Sequence, residues 1–331
     1  MFVHILFNFK DDIAGGGSNF LTLLRDYFKE TGVYSDSIGN ADIVLFNSHH
    51  SIKLALDLKK TYPNKLFIHR IDGPMRLYNS LHDKRDLIVN IANKYIADGT
   101  VFQTNWSMNN NFKMGIPKNV NESTIQNSSN NKIFYPKSKT KLNLDNKVKL
   151  IAVSWSSNIN KGFAIYSWLD KNLDFEKYEM TFVGNSPVSF NNICHKESMN
   201  HDKLSTELRK NDIFITASKK DPCSNALIEA LNCGLPSIAL NDGGHPEILS
   251  NGGELFNDSS TLLESIDNVS KNYSNYQDNI SIKSINEIGG QYYDFMRSIY
   301  KDLRNKKYLP KKINYFTSLM INSKVLCYRR F

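Results

Sequence analysis

Cysteine is scarce in this chain, with four among 331 residues (Cys194, Cys223, Cys233 and Cys327), no Cys-x-x-Cys pair and no metal-ligand spacing. That excludes a disulfide-stapled scaffold and a zinc module, and a reducing, cytoplasmic compartment is the simplest reading. Long apolar runs are missing too: none approaches the roughly 20 residues of a membrane span. Met1 to Phe9 is apolar but has no basic leader or small-residue cleavage site, and Lys10, Asp11 and Asp12 follow at once. It reads as a first buried strand rather than a signal peptide. No G-x-G-x-x-G fingerprint with an acid some 20 residues on is present, which argues against a nicotinamide cofactor.

What is present is a globular composition, 40% hydrophobic and 11% aromatic, in a chain long enough for two domains with real cores. The net charge is +8, which favours anionic partners. The charge is uneven. Nine of the residues from Lys301 to Arg330 are Lys or Arg, with Tyr308, Tyr315, Phe316, Leu319 and Met320 interleaved. This segment reads either as a solvated terminal helix and tail or as a contact with an anionic membrane surface. No nucleic-acid-binding motif accompanies it.

Apolar runs alternate with helical patterns throughout. Strands are expected over Val3–Phe9, Ala41–Asn47, Leu66–Ile71 and Thr100–Gln103, with helices over Ser18–Thr31, Ile52–Thr61 and Asp86–Ile96. Residues 127–147 are rich in Asn, Ser and Lys and mark a domain boundary. A second series follows, with strands at Lys149–Ser154, Glu179–Val183, Asp212–Thr216 and Ser237–Leu240 and helices between them. Two long helical patterns, about Thr261–Asn272 and Ile285–Arg304, close it. Short strands separated by helices imply an α/β fold with parallel sheets. Ligands in such sheets bind at the carboxyl ends of the strands.

The polar residues that follow these strands are the candidates for chemistry. Asp221-Pro-Cys-Ser-Asn-Ala-Leu-Ile-Glu229, then Gly234-Leu-Pro236, runs from a strand end through a loop into a helix starting near Ser224 or Asn225. Open backbone amides at such a start, from Cys223 to Ala226, make a phosphate site. On spacing alone, an equal reading makes Asp221 a loop cap and Glu229 a surface helix residue. Asn158-Ile-Asn-Lys161-Gly162 also follows a strand and opens a helix, and Lys161 is by itself either an ordinary solvent lysine or a cation placed to neutralise a diphosphate. Gly15, Gly16 and Gly17 form a loop that is either a flexible linker turn or a passage through which a phosphate or acceptor can approach the backbone. His69-Arg70-Ile71-Asp72 ends a strand; Arg70 and Asp72 pair either structurally or to shape an acceptor site. His49 and His50 are adjacent, but no third ligand is spaced to complete a metal site.

Taken together, Asp221 to Glu229, Lys161-Gly162 and Asn241-Asp-Gly-Gly-His-Pro-Glu247 resemble the E-x7-E, Lys-Gly and Gly-Gly-x-x-Glu motifs of retaining GT-B glycosyltransferases of the family 4 type. The likeness covers essentially the whole chain and is most specific from about 150 to 255. Two departures stand out: Asp221 replaces the first Glu, and Ser and Asn stand where an upstream Arg is common.

The resemblance implies two doubly wound Rossmann-like domains facing across a cleft. Their expected extents are an acceptor domain at 1–140 and a nucleotide-sugar domain at 141–285. A C-terminal helix with basic tail, 286–331, would cross back to the first domain, and closure would hinge near 130–147. The resemblance further implies sugar transfer with retention from a nucleoside diphosphate sugar, UDP- or GDP-linked, to a glycan or lipid-linked glycan. Such enzymes serve cell-surface polysaccharide, lipopolysaccharide or glycoconjugate synthesis, at the inner face of a membrane.

It assigns Asp221, Lys161 and His69 to catalysis. Gly15, Gly16, Gly17, Asn158, Lys161, Cys223, Ser224, Asn225, Ala226 and Glu229 would hold the donor, with Glu229 on the ribose. No cofactor or metal is implied, and no Asp-x-Asp motif of the metal-dependent type is found. Gln103-Thr-Asn105-Trp106-Ser107 resembles the family's serine-rich segment. The rival readings are a GT-B nucleotide-sugar epimerase and a degenerate nucleotide-sugar or glycan-binding protein.

Overall fold

The computed structural model describes residues 1–9, 16–136 and 142–329. In chain order the elements begin with β1 (Val3–Leu6), α1 (Gly16–Glu30), β2 (Ile43–Asn47), α2 (Ile52–Thr61), β3 (Leu66–Ile71), the one-turn α3 (Met75–Tyr78), α4 (Arg85–Tyr95), β4 (Gly99–Phe102), α5 (Asn105–Lys113) and β5 (Glu122–Thr124). They continue with β6 (Val148–Ser154), α6 (Phe163–Asn172), β7 (Tyr178–Gly184), β8 (Cys194–Lys196), α7 (His201–Arg209), β9 (Ile213–Thr216), α8 (Asn225–Asn232) and β10 (Ser237–Leu240). The series ends with α9 (His245–Leu249), β11 (Gly253–Phe256), α10 (Ser259–Lys271), α11 (Tyr273–Asp278), α12 (Ile285–Arg304) and α13 (Tyr315–Arg329).

Two compact units result. The first joins Met1–Gln126 to Ile285–Phe331; the second is Asn127–Ser284. Each is built on a parallel sheet whose central strands are apolar and buried on both faces. In the first unit the order is β1-β2-β3-β4-β5, and Tyr34 adds a single bridge on the outer side of β1. The chain therefore leaves β1 through α1 to one side and returns to β2 on the other. One face of this sheet packs Phe20, Leu24 and Phe28 of α1 with Ile288, Tyr292, Met296 and Ile299 of α12. The other packs Ala55 and Leu56 of α2, Ile88 and Ala92 of α4, and Ile321 and Val325 of α13.

The last two helices are tied to the first unit by one buried carboxylate. Asp98 accepts from Lys59 Nζ at 2.6 Å and the Phe67 amide at 2.8 Å through Oδ2. Its Oδ1 accepts from Tyr308 Oη at 3.1 Å and the Lys311 amide at 2.7 Å. Lys59 and Asp98 are both fully enclosed, and the pair is tolerable only because these bonds saturate the carboxylate.

In the second unit the order is β11-β10-β9-β6-β7-β8, all parallel. The chain runs outward from β6 through β7 to β8, then crosses to β9 on the opposite side of β6. The β6–β9 junction is thus the topological switch point, the place where open α/β sheets bind ligands beyond their carboxyl ends. Helices α6, α10 and α11 cover one face and α7, α8 and α9 the other.

Candidate functional site

Two loops leave the switch point, β6 to α6 and β9 to α8. The Lys219 amide donates to the Asn160 carbonyl at 2.6 Å and fastens one loop to the other. The first loop tightens into a single 3-10 turn, Ile159–Lys161. Asn158 caps it, its side chain accepting from the Asn160 amide. Gly162 then takes φ 84°, and a Cβ there would lie 2.2 Å from the Ala217 carbonyl oxygen. The close approach that this glycine permits is therefore to the neighbouring strand end, which draws Lys161 against the second loop.

Lys161 Nζ donates to Asp221 Oδ2 at 3.0 Å, with side-chain exposures of 22% and 11%. The other oxygen, Oδ1, accepts from the Cys223 amide at 3.2 Å. Burial opposes ionisation of Asp221, but Lys161, with smaller contributions from His245 and the Cys223 amide, outweighs it and holds the carboxyl below its ordinary value. The Asp221 backbone is clamped as well: its carbonyl accepts from the Gly244 amide at 2.9 Å. Gly243 at φ 65° leaves room for this, since a Cβ there would meet that carbonyl oxygen at 2.3 Å. His245 lies buried beneath, Nδ1 on the Leu240 carbonyl and Nε2 near Ser218 Oγ, and burial lowers its pKa.

Helix α8 begins directly after this cluster. Ser224 caps it, accepting from the Leu227 amide at 3.4 Å, while the amides of Asn225 and Ala226 stand in the first turn, where no intrahelical acceptor exists. Cys223 and Ser224 are buried; Asn225 and Ala226 are part-exposed. The Asn225 side chain is held by Asn127 Nδ2 at 2.8 Å. One turn on, Glu229 is part-exposed, and its carboxyl has no hydrogen bond or ion pair among the described residues. Burial alone lifts its pKa to about 8. The result is an ammonium beside a positive helix terminus at the switch point, with an uncommitted carboxyl one turn along α8. That arrangement can hold an anion beside a hydroxyl-bearing group.

The other expected site residues lie in the first unit. Gly15 falls outside the described residues. Gly16 and Gly17 are not in a loop but form the first turn of α1, where amides lack helical partners anyway and glycine costs less than in a helix interior. A Cβ at Gly17 would meet nothing within 4 Å, so packing does not require glycine there. His69 is fully enclosed in β3. Its ring stacks on Phe46 at 4.3 Å, Nε2 meets the Ser48 carbonyl and Nδ1 meets Asn93, and burial lowers its pKa to about 4. The ring is fully enclosed, with Nε2 at the Ser48 carbonyl and Nδ1 beside Asn93, so it is placed as a core element rather than as a group facing ligand. Arg70 pairs with Asp72 at 2.8 Å and with Asn47 at 2.6 Å. Thr104 caps α5 by accepting from the Ser107 amide.

Three contributors escaped the sequence reading: the Lys161–Asp221 pair, Asn127 behind Asn225, and His245 under Asp221. The pairing spans sixty positions, and only the adjacency of β6 and β9 produces it. His245 sat inside a recognised motif but had no role attached.

A family model described as glycosyl transferases group 1 matches residues 189–285, which include Asp221, Glu229 and His245. The chain carries a glycosyltransferase domain. HepE of Anabaena, solved in complex with UDP-glucose, is similar in structure at TM-score 0.65 and 13% identity, covering 92% of this chain and 99% of that one. Sucrose-phosphate synthase of Thermosynechococcus elongatus gives 0.59 and 14%, covering 96% and 80%. The trehalose-6-phosphate synthase OtsA gives 0.57 and 13%, covering 89% and 77%. At these identities the likeness defines the fold, which is GT-B. No curated protein matches the chain by sequence. The glycosyltransferase domain contains the α8 half of the site, and Lys161 lies upstream of the matched segment.

Proposed function

We propose that the chain transfers a sugar, with retention at the anomeric carbon, from a nucleoside diphosphate sugar to an acceptor hydroxyl. The observation that carries this is the Lys161–Asp221 pair set against the start of α8, with the unpartnered Glu229 one turn on. Cleaving the glycosyl–phosphate bond separates charge, positive on the sugar ring and negative on the leaving diphosphate. Lys161 and the amides near Ser224–Ala226 oppose the negative charge, which is electrostatic stabilisation by preorganised groups. They fill the role that a divalent cation takes elsewhere, so the reaction is proposed to need no metal.

Asp221 aims the ammonium. Lys161 takes Oδ2 and the Cys223 amide takes Oδ1, and since a carboxylate oxygen can accept a second bond, Asp221 is proposed to hold a sugar hydroxyl as well. Glu229 would accept from the ribose hydroxyls, as HepE in complex with UDP-glucose makes a uridine donor a natural first probe. The assignment is tested by assaying hydrolysis and transfer of UDP- and GDP-sugars by wild type, Lys161→Ala and Asp221→Ala. Product anomers are read by NMR, with and without chelator. Unaltered turnover in both variants, or an inverted product, overturns the reading.

Membrane contact is a second element of the proposal. Helix α13 turns Ser318, Ile321 and Val325 inward, while Tyr315, Phe316, Leu319 and Leu326 remain exposed beside Lys312 and Lys324. Exposed aromatics next to lysines suit an anionic lipid surface. Among the described residues no helix is long and apolar enough to cross a membrane. A surface-bound enzyme fits work on lipid-linked glycans in cell-surface polysaccharide, lipopolysaccharide or glycoconjugate synthesis. Co-sedimentation with anionic but not zwitterionic vesicles, lost in Phe316→Asp, is the expected result.

A further inference from the structure

A cavity of about 650 Å³ lies wholly in the first unit, at the amino ends of its strands. Parallel sheets gather their substrates at the other, carboxyl ends. Asp42 and Lys65, the residues before β2 and β3, line the cavity together with Tyr62 at the end of α2. Tyr300 and Arg304 from the last turns of α12, and Lys306 just beyond them, complete the polar wall.

The acceptors around this cavity already have donors. Asp42 Oδ2 accepts from the Phe2 amide at 2.8 Å and faces the Met1 ammonium at 3.9 Å, while Oδ1 accepts from the Tyr300 hydroxyl at 3.2 Å. Lys65 Nζ donates to the Gly39 carbonyl at 2.8 Å and to the Ala41 carbonyl. At the end of α12 the carbonyls of Lys301, Asp302 and Leu303 accept from the amides of Asn305, Lys307 and Lys306. At the end of α2 the Leu58 carbonyl accepts from the Tyr62 amide, and the Tyr62 carbonyl from the Lys65 amide. The negative ends of both helices, which would repel an anion, are thus answered by the chain itself.

Several donors have no such partner. Neither Arg304 nor Lys306 makes a hydrogen bond or ion pair among the described residues, and the same is true of the Asn64 side chain and the Tyr62 hydroxyl. A cation at a helix C-terminus is favourable in itself. The cavity adds a wall where positive charge and N–H groups exceed what the protein's own acceptors use. A guanidinium and an ammonium offer eight donor hydrogens between them, and an anion with several oxygens is the ligand that satisfies them. Lys306 is held at φ 59°, and the Tyr62 ring lies 5.1 Å from Lys65 Nζ, so both sides of the wall are fixed.

We propose that this cavity binds a phosphate ester, with Arg304 and Lys306 on the phosphate oxygens and Asn64 and the Tyr62 hydroxyl beside them. At the amino ends of the strands the ester serves as an effector or an anchor, not as a substrate of transfer. The inference is independent of the transfer reaction proposed above, because Lys161 and Asp221 belong to the second unit.

Titration with glycerol 1-phosphate, followed by phosphorus NMR, tests it in wild type, Arg304→Gln, Lys306→Gly and Lys161→Ala. Arg304 and Lys306 are exposed, and glycine takes the φ of Lys306 without strain, so both cavity variants should stay folded. Binding should weaken at least fivefold in each of them and persist in Lys161→Ala, which alters the other phosphate site. Co-sedimentation with phosphatidylcholine vesicles, with and without phosphatidic acid, identifies the source of the phosphate. It is run on Phe316→Asp, which removes the α13 contact. A response to phosphatidic acid alone, lost when Arg304→Gln is added, assigns the phosphate to a lipid headgroup; binding of glycerol 1-phosphate without that response assigns it to a soluble ester. Binding of neither probe, undiminished binding in either cavity variant, or loss in Lys161→Ala instead would overturn the site.

Discussion

Replacing Glu229 by glutamine should flatten the loss of stability that the second unit shows as pH rises. Burial holds the Glu229 carboxyl at about 8 against an ordinary 4.5. Between those values the folded chain keeps a proton that the unfolded chain has released. Low pH therefore favours folding: the contribution is complete below about 4.5 and is lost as pH climbs through about 8. The span from 4.5 to 8 corresponds to roughly 5 kcal/mol at 1.36 kcal/mol per pH unit. Partial contact of the side chain with solvent screens this, so a working figure is about 2–4 kcal/mol. Glutamine keeps the shape and removes the titration. The assay is urea unfolding from pH 5 to 9 followed by tryptophan fluorescence, for which Trp155 and Trp168 report on the second unit. The expected result is that wild type falls relative to Glu229→Gln by that amount as pH rises. Parallel curves across the whole range would refute the claim that Glu229 is a desolvated carboxyl with no partner among the described residues.

Lys161→Ala should lower kcat/KM for the sugar donor by about 100- to 1000-fold, the usual cost of removing one charge-stabilising donor; steady-state kinetics check it. Gly162→Ala places a methyl against the Ala217 carbonyl at a left-handed φ and should cost at least about 1–3 kcal/mol, read from urea midpoints. Gly243→Ala should behave alike, through the Asp221 carbonyl. Asp98→Ala leaves Lys59 buried and unpaired, so a loss of about 3–5 kcal/mol is expected. It also frees the Tyr308 and Lys311 contacts, and limited proteolysis should then cut near residues 305–314 faster than in wild type.

The buried strands were legible because they are written in apolar β-branched residues: Ile43–Asn47, Leu66–Ile71 and Ser237–Leu240 carry their own signal. Three of the four edge strands were not. Cys194–Lys196 is mostly exposed, Glu122–Thr124 is polar, and Gly253–Phe256 opens on glycine, so pairing rather than pattern makes them strands. Lys161, Asp221 and Glu229 could each be picked out from position after a strand or within a helix. Their electrostatics could not, because one carboxylate acquires a cation from a distant loop while the other stays unpaired. The glycines misled in one respect. Gly16 and Gly17 looked like loop and are helix, whereas Gly162 makes room for the Ala217 carbonyl. His69 shows the same limit: a polar residue at a strand end can belong to the core once Phe46, Ser48 and Asn93 close around it.

The central claim is that Lys161 and the start of α8 hold the diphosphate of a nucleotide. Isothermal titration of UDP, GDP, ADP and CMP into wild type and Lys161→Ala tests it most directly. One of the nucleoside diphosphates should bind one-to-one and weaken at least tenfold in the variant, about 1.4 kcal/mol. Equal affinity in the two proteins, or no diphosphate binding to wild type, would contradict it.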